Sequence, residues 1–366
     1  MRKKFVVIIT ILLGAVLLSA CAGGPAHGLT WPGLAADENT AYLADGPYVY
    51  AINLRDGRQV WRYPADPEGD LAFYSTPVIT PDGLVIVGSA GTNYSLIALD
   101  PTNINQQTSA PAEAWRFTDA NDHWRAAPLV VENKLFAVNS DGNLYILNLQ
   151  DGQSVKQATV VNLDGRLWSQ PTTDGERVYI TSLDHSVIAV DANTYEIVWH
   201  EDLGGAVPGS AVLSEDGTLY VGSLASRLER FDPATGTHEA VVDAENWVWS
   251  TPSLDGDTLY FSDVDGNFYS YNVSTGNLNW TIKPDGPITA SPLIQNDHIL
   301  FATESGSVFA VDRDGNVLWS EEIGGKIYTT PVAAGDTILV APLETEFYLA
   351  ALDQNGRQIW TFAPGE

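Results

Sequence analysis

The chain has 366 residues, and its formal net charge of −28 gives it a pI near 4.3. A surface this acidic repels phosphate backbones, which argues against a nucleic-acid partner. Because 45% of the residues are hydrophobic, 10% are aromatic and only 17% are charged, the composition excludes a disordered chain and suffices for a large core.

The N-terminus has the features of an export signal. Arg2, Lys3 and Lys4 form a basic start, and residues 5–17 form an apolar stretch that is too short to cross a bilayer as a helix. The sequence Leu-Ser-Ala-Cys then ends at Cys21, the single cysteine of the chain. We therefore predict a signal peptide rather than a transmembrane segment, and no disulfide bond.

The end of this signal resembles the lipobox of bacterial lipoproteins, which implies cleavage after residue 20 and lipid modification of Cys21. An ordinary signal peptide with an incidental cysteine is the alternative. We predict residues 1–20 to be the signal peptide and residues 21–30 to be a tether of at most about 35 Å. Several acyl chains on one residue would anchor the protein stably to a membrane. Ala22 is compatible with an outer-membrane destination.

An internal repeat of roughly forty residues fills the rest of the chain, residues 31–366. An acidic or amide residue closes the third predicted strand of each repeat: Asn53, Asp100, Asn148, Asp191, Asp232, Asn272, Asp312 and Asp353. A proline lies early in the first strand of most repeats: Pro77, Pro128, Pro171, Pro252, Pro292 and Pro331. In the fifth repeat Ala211 takes the place of this proline, and in the first repeat we assign Pro32 to the same position.

Each repeat offers four short apolar strands separated by turn residues, and no stretch has a helical period of useful length. Four-stranded units of this size are typical of β-propeller blades. The even spacing without a linker argues against two four-bladed rings, and the lack of a polar capping repeat argues against an open solenoid. We predict an all-β fold, a single eight-bladed β-propeller with four-stranded antiparallel blades.

The hairpin between the third and fourth strands pairs a small residue with a tryptophan. A register centred on the Asp-Gly or Asn-Gly turn places Ala310 opposite Trp319 and Ala351 opposite Trp360. An indole needs a shallow site beside it, which alanine provides. The structural tryptophans predicted by this pattern are Trp61, Trp115, Trp199, Trp280, Trp319 and Trp360.

Two repeats lack this tryptophan, and both also lack the small residue. Repeat three has Ile146 in the alanine position and Val155 in the tryptophan position. Repeat five has Arg230 in the alanine position, with His238 and Glu239 near the tryptophan position. We therefore expect blades three and five to pack differently from the others.

The blade signature, seen as AINLRDGRQVW, AVDRDGNVLW and AALDQNGRQIW, resembles the PQQ-like propeller repeat over about residues 31–362. With a lipoprotein signal in front of eight blades, the chain resembles the BamB family, the propeller lipoproteins of the outer-membrane β-barrel assembly machinery. This resemblance implies a non-enzymatic scaffold on the periplasmic side of the outer membrane. Its partners would be envelope proteins, extended peptide segments or the β-barrel assembly machinery.

Two other functions remain open. One is an envelope propeller that binds or senses a small ligand. The other, which the sequence favours less, is a PQQ-dependent dehydrogenase, since the repeat is shared with quinoproteins. That resemblance implies a disulfide of adjacent cysteines and a carboxylate-bound metal, and this chain has neither a second cysteine nor an evident carboxylate cluster.

No motif for catalysis or metal binding stands out. The histidines show no ligand spacing. Asp263 begins a segment like the start of an EF-hand loop, but no Glu lies at the twelfth position, so a hairpin turn is favoured over a calcium site. We predict no catalytic residue, no metal ligand and no cofactor.

Aromatic residues recur just before the first strands, where a propeller has one mouth of its central channel. They are Tyr74, Trp168, Trp249 and Tyr328, three residues before the proline, and Trp124, four residues before it. Acidic hairpins are expected on the same face: Asp141, Asp184, Asp263, Asp265, Glu304, Glu344 and Glu346. Either the aromatic residues merely fill a wide funnel, or they form a partner-binding mouth for an extended peptide or a basic surface.

Overall fold

The computed structural model describes residues 31–69, 71–91, 94–153 and 160–365. In these residues all regular secondary structure is β-strand, and none of them belongs to a long apolar helix of the kind that crosses a membrane. The strands form eight antiparallel sheets, one for each repeat. The predicted signal peptide, the tether, Cys21 and Val155 lie outside the described residues.

Blades one to four contain strands β1 to β17. Blade one has Gly33–Ala36, Thr40–Asp45, Tyr48–Asn53 and Gln59–Tyr63; blade two has Ala72–Phe73, Val78–Ile79, Val85–Ala90, Leu96–Ile104 and Pro111–Phe117; blade three has Leu129–Val131, Lys134–Val138, Asn143–Asn148 and Val160–Asn162; blade four has Thr172–Thr173, Arg177–Thr181, Ser186–Asp191 and Ile197–Asp202. The additional strand of blade two, β5, extends the pairing along β7.

Blades five to eight contain strands β18 to β33, four in each blade. Blade five has Val212–Leu213, Leu219–Ser223, Arg227–Phe231 and His238–Asp243; blade six has Ser253–Asp255, Thr258–Ser262, Phe268–Asn272 and Asn277–Ile282; blade seven has Leu293–Gln295, His298–Ala302, Ser307–Val311 and Val317–Glu322; blade eight has Val332–Ala334, Thr337–Val340, Leu349–Leu352 and Gln358–Phe362.

The eight sheets close into one ring, as predicted. First strands of neighbouring blades contact one another, including β1 of blade one and β30 of blade eight. The Oγ1 atom of Thr329 donates a hydrogen bond of 2.7 Å to the carbonyl oxygen of Pro32 across this closure. Each sheet is built from consecutive strands, so no strand crosses from one blade to another. The buried apolar residues accordingly form eight clusters, and each cluster lies between two adjacent blades.

The predicted pairs of a small residue with a tryptophan are confirmed. Ala51 lies opposite Trp61, and the same register holds for Ala98 and Trp115, Ala189 and Trp199, Ser270 and Trp280, Ala310 and Trp319, and Ala351 and Trp360. A β-bulge follows the small residue in each of these hairpins. The bulge increases the local twist and re-aims the side chains beside it.

In five of these six hairpins the indole then reaches the next blade, a contact that the repeat pattern does not reveal. Its Nε1 atom donates a hydrogen bond of 2.8–2.9 Å to the carbonyl oxygen just after the acidic or amide residue that closes the third strand. The pairs are Trp115 with Leu149, Trp199 with Pro233, Trp280 with Arg313, Trp319 with Gln354 and Trp360 with Leu54. The last of these pairs joins blade eight to blade one.

A glycine lets the indole lie flat on the turn of the next blade. Gly356 has φ of +81°, and a Cβ added to it would lie 2.4 Å from Cε3 of Trp319. Gly57 has φ of +69° and would place a Cβ 2.6 Å from the same atom of Trp360. Glycine is therefore required here both by the left-handed backbone and by the ring above it.

The joint between blades three and four has a different construction. The position of the turn glycine is occupied by Tyr195, which is buried with φ of +65° and packs edge-on against Phe136 at 6.3 Å. The Nζ atom of Lys134 donates a hydrogen bond of 3.4 Å to the carbonyl of Ala192, the position that accepts an indole elsewhere. Where the tryptophan is missing, Tyr195 thus supplies the aromatic ring and Lys134 supplies the hydrogen-bond donor.

Blade five carries an ion pair where the other blades carry the indole. Arg230 lies opposite Glu239 and forms a salt bridge with it, and the β-bulge moves to the position before Glu229. The ring of His238 stacks on Phe231 at 4.9 Å. The expectation that blades three and five pack differently is confirmed for the residues that the structure describes.

A polar cluster joins blades one and two. The Oε1 atom of Glu113 accepts hydrogen bonds from the hydroxyl of Tyr63 at 2.5 Å and from Nη2 of Arg116 at 2.7 Å, and its Oε2 atom accepts one from Nε of Arg116 at 2.9 Å. These charge-assisted bonds from Arg116 hold the pKa of Glu113 below its ordinary value. Burial and the neighbouring Glu113 raise the pKa of Tyr63.

We predict that Gly356→Ala lowers the free energy of unfolding by about 1–3 kcal/mol more than Gly83→Ala does. Both glycines have similar φ, +81° and +89°, but a Cβ at position 83 would meet no heavy atom within 4 Å. The comparison, made by denaturant unfolding, therefore isolates the contact with Trp319. Equal losses in the two variants would contradict the proposed packing of the indole.

We predict that Glu113→Gln lowers stability at pH 7 and that this difference from the wild type is smaller at pH 3. The folded pKa of Glu113 is depressed, so its contribution is present above the unfolded value of about 4.3 and is lost as pH falls through the folded pKa. Unfolding free energies of both proteins at the two pH values measure it. A difference that is independent of pH would show that the carboxylate charge is not involved.

Candidate functional site at the channel mouth

Strand register shows which residues of the eight blades are equivalent at the starts of the first strands. It corrects the assignment of Pro32 as the marker proline of the first repeat. In blade one, Ala35 of the first strand pairs with Tyr42 of the second strand. In blade two, Val78, the residue after the marker proline, pairs with the second strand in the equivalent register. The position of the repeat proline is therefore held by Leu34, two residues after Pro32. Trp31 consequently lies three residues before that position, as the predicted mouth aromatics of other blades do.

The eight equivalent positions surround one end of the central channel. They are occupied by Trp31, Tyr74, Arg125, Trp168, Pro208, Trp249, Thr289 and Tyr328. These residues line two adjoining cavities of about 580 and 290 Å³, together with small hydroxyl residues of the first strands. Tyr74, Trp168, Trp249 and Tyr328 thus lie at the mouth where the sequence placed them.

Trp31 links three of the blades across the mouth. Its ring stacks on Tyr328 with a centroid distance of 5.0 Å and an interplanar angle of 5°. It also meets Trp249 edge-on at 5.6 Å and 64°. Offset and edge-to-face pairs of this kind stabilise aromatic clusters beyond their buried area. The sequence did not reveal Trp31 because Pro32, the residue after it, resembles the marker proline of the other repeats.

The placement of Trp124 at the mouth was wrong. Its side chain is only 1% exposed, packs against Phe117 and Tyr145, and donates from Nε1 to the carbonyl of Tyr94 at 3.2 Å. Neighbouring residues of an extended chain point to opposite sides. Trp124 therefore enters the core between blades two and three, and Arg125 enters the cavity.

Arg125 and Trp168 form a cation–π pair in the wall of the cavity. The Cζ atom of Arg125 lies 4.8 Å from the centroid of the Trp168 ring. Among the described residues that line the two cavities, Arg125 is the one charged side chain. The interior of the mouth therefore differs in charge from the rest of this acidic protein.

The hairpins between second and third strands lie on the same face as the mouth, because strands alternate in direction within each blade. Several of their carboxylates are bound within the protein: Asp141 accepts from the hydroxyl of Tyr145 at 2.7 Å, and Glu344 pairs with Lys326 at 2.9 Å. Asp265 and Glu346 are exposed. The remaining acidic positions of this rim are Asp184, Asp263 and Glu304.

Asp263 serves as the structural centre of its hairpin. The side chain is fully buried, and its oxygens accept hydrogen bonds from the hydroxyl of Tyr269 and from Asn267, Asp265 and Asn246. These donors occupy the directions in which a cation would need to be bound. The described residues contain no group of three or more His, Cys, Asp or Glu side chains arranged to hold a metal ion.

The cavity does not match the requirements of a quinone cofactor. PQQ is a tricarboxylate, and a protein site for it needs several cations or a metal to balance its charge. The lining offers one guanidinium, from Arg125, among aromatic rings and hydroxyls. The residues present favour a ligand with a large apolar surface and at most one negative charge.

Comparisons with known proteins agree with this architecture. A family model described as "Outer membrane protein assembly factor BamB" matches residues 18–239 and 225–363. BamB of Shewanella oneidensis is 28% identical over 249 residues, which cover 61% of this chain and 59% of that relative. The match thus spans less than two thirds of the relative. The crystal structure of BamB from Moraxella catarrhalis has the same fold, with a TM-score of 0.65 at 19% identity over 91% of this chain and 95% of that chain.

An enzyme is also among the similar proteins. Tetrathionate hydrolase of Acidithiobacillus ferrooxidans is 21% identical over 339 residues, which cover 81% of this chain and 67% of that enzyme. Similarity at this level does not by itself transfer an activity. The family model, by contrast, matches most of the chain, and the protein therefore belongs to the family of outer membrane protein assembly factors described as BamB.

Proposed function

We propose that this protein is a non-enzymatic scaffold of the bacterial envelope that takes part in the assembly of outer-membrane proteins. Membership of the BamB family is the observation that carries this proposal. Its partners would be other components of the β-barrel assembly machinery or extended segments of the proteins being assembled. Nucleic acid is disfavoured as a partner by the net charge of −28.

The mouth is the surface that best suits such a partner. A cavity of about 580 Å³ is surrounded by five aromatic side chains: Trp31, Tyr74, Trp168, Trp249 and Tyr328. Trp31 comes from the N-terminal end of blade one, and the other four come from four further blades. Tryptophan and tyrosine combine a large apolar area with a polar group, and they are frequent among the residues that dominate binding energy. An acidic rim would attract the basic groups of a partner and increase its rate of association.

A lipid anchor at Cys21 would place this face near the membrane. Trp31 lies at the mouth, ten positions after Cys21 in the sequence, a distance of at most about 35 Å in a fully extended chain. In this proposal the protein is exported, acylated at Cys21 and held at the periplasmic side of the outer membrane. Its mouth would then meet unfolded segments close to the place where they insert.

A ligand-binding or sensing propeller is the second candidate. The size of the cavity favours it, since small-molecule sites commonly have volumes of about 300–1,000 Å³. The two candidates differ in what binds with measurable affinity, a protein of the assembly machinery or a small molecule. Hydrolysis of tetrathionate by the purified protein would instead support an enzyme related to the hydrolase.

We predict that Trp168→Ala and Trp249→Ala reduce recovery of barrel-assembly proteins with the full-length lipidated protein from solubilised membranes. Loss of a central tryptophan typically costs about 2 kcal/mol or more, roughly thirtyfold in affinity. Recovery is measured by quantitative mass spectrometry of the co-purified proteins. The melting temperatures of both variants should stay close to that of the wild type, because these rings line a cavity.

Trp247→Ala provides the matched control for this experiment. Trp247 lies two residues from Trp249 and is 51% exposed, but it does not line the cavity. We expect this variant to bind like the wild type. Equal loss in all three variants would assign binding to the outer surface, and unchanged binding in Trp168→Ala and Trp249→Ala with lower stability would make their rings structural filler.

A further inference from the structure

Arg125 stands apart from the other cations of the chain by its surroundings. It occupies one of the eight ring positions, and it is the one charged residue among the described residues that line the two cavities. Aromatic rings flank it, with its guanidinium stacked over Trp168 at 4.8 Å. Within the described part of the chain, its guanidinium forms no salt bridge, although its charge helps to lower the pKa of Asp122, which pairs with His123.

Stacking on an indole orients a guanidinium without using its hydrogen-bond donors. The attraction acts on the flat face of the group, whereas the five N–H bonds of arginine lie in its plane. The carboxylate nearest to it in sequence, Asp122, is bound by the ring and the backbone of His123. The donors of Arg125 therefore remain available to a bound molecule.

We propose that the mouth binds a single carboxylate attached to an aromatic or apolar group, as found at the C-terminus of a polypeptide that ends in an aromatic residue. Arg125 would hold the carboxylate through two parallel hydrogen bonds, and Trp31, Trp249 and Tyr328 would contact the apolar group. The inference rests on the proposed function, since it names the feature of an extended segment that the mouth recognises.

The charges of the face favour a carboxylate over a phosphate. One guanidinium balances one negative charge, whereas a phosphate group near neutral pH carries up to about two. The acidic side chains of the surrounding rim, such as Asp265 and Glu346, would repel the excess charge. A ligand with one negative charge and an apolar group is therefore compatible both with the cavity wall and with the acidic rim.

The test uses the full-length protein in detergent and three probes: a short peptide ending in phenylalanine with a free carboxylate, the same peptide amidated at its C-terminus, and N-acetylphenylalanine. Affinities are measured by calorimetry and by the fluorescence of the mouth tryptophans. We expect the free acid to bind at least about tenfold tighter than the amide, because hydrogen bonds to charged groups are stronger than neutral ones.

Variants separate the role of Arg125 from general charge effects. Arg125→Ala should remove the preference for the acid with little change in melting temperature, and Arg125→Lys should retain part of it. Arg58→Ala, which removes the same charge from an exposed turn, should bind like the wild type. Tight binding of N-acetylphenylalanine with the same dependence on Arg125 would support the site and identify free acids as its ligands.

The proposal is overturned if acid and amide bind equally, if no probe binds, or if Arg125→Ala loses stability and keeps the preference for the acid. Such a result would leave the proposed function standing as long as recovery of barrel-assembly proteins still depends on Trp168 and Trp249. The two proposals therefore fail in different experiments.

Discussion

Five tryptophans each connect one blade to the next, and the joint between blades eight and one, which closes the ring, depends on this contact. The indole Nε1–H satisfies a turn carbonyl of the neighbouring blade, while the ring covers a glycine in the left-handed region, as for Trp319 over Gly356. A carbonyl left without a partner beneath the ring would be costly, so donor, ring and glycine are needed together. Trp360 makes the same contact with blade one, which closes the ring.

A scaffold fixed in this way leaves the inner ends of the blades free to differ. The eight equivalent positions at the mouth precede the first strands and hold aromatic, cationic and small side chains, while every blade keeps its antiparallel order of strands. The alternation of side chains then decides what enters the cavity, as for the neighbours Trp124 and Arg125. In the proposed function, the substitutions at these eight positions decide what binds, and the repeats supply the frame.

The sequence predicted the features that are local along the chain. Turn residues define the register of a hairpin, so the pairing of Ala310 with Trp319 follows from the position of the Asp-Gly turn between them. The partner of that indole lies in another blade, 35 residues away, and no local pattern indicates it. Trp31 was missed because Pro32 resembles the marker proline of other repeats, whereas strand register gives that position to Leu34. Arg125 was missed because an aromatic neighbour suggested the wrong side of the chain.

The closure of the ring is the claim on which this account depends, and the exchange of indole protons measures it most directly. In a protein labelled with ¹⁵N-tryptophan, the Nε1–H of Trp360 should exchange with solvent as slowly as that of Trp319, since both form hydrogen bonds of 2.9 Å to the next blade. The exposed Trp247 should exchange fast and serves as the reference. Fast exchange at Trp360 together with slow exchange at Trp319 would show that blades eight and one do not form the same joint, and would contradict the closed propeller.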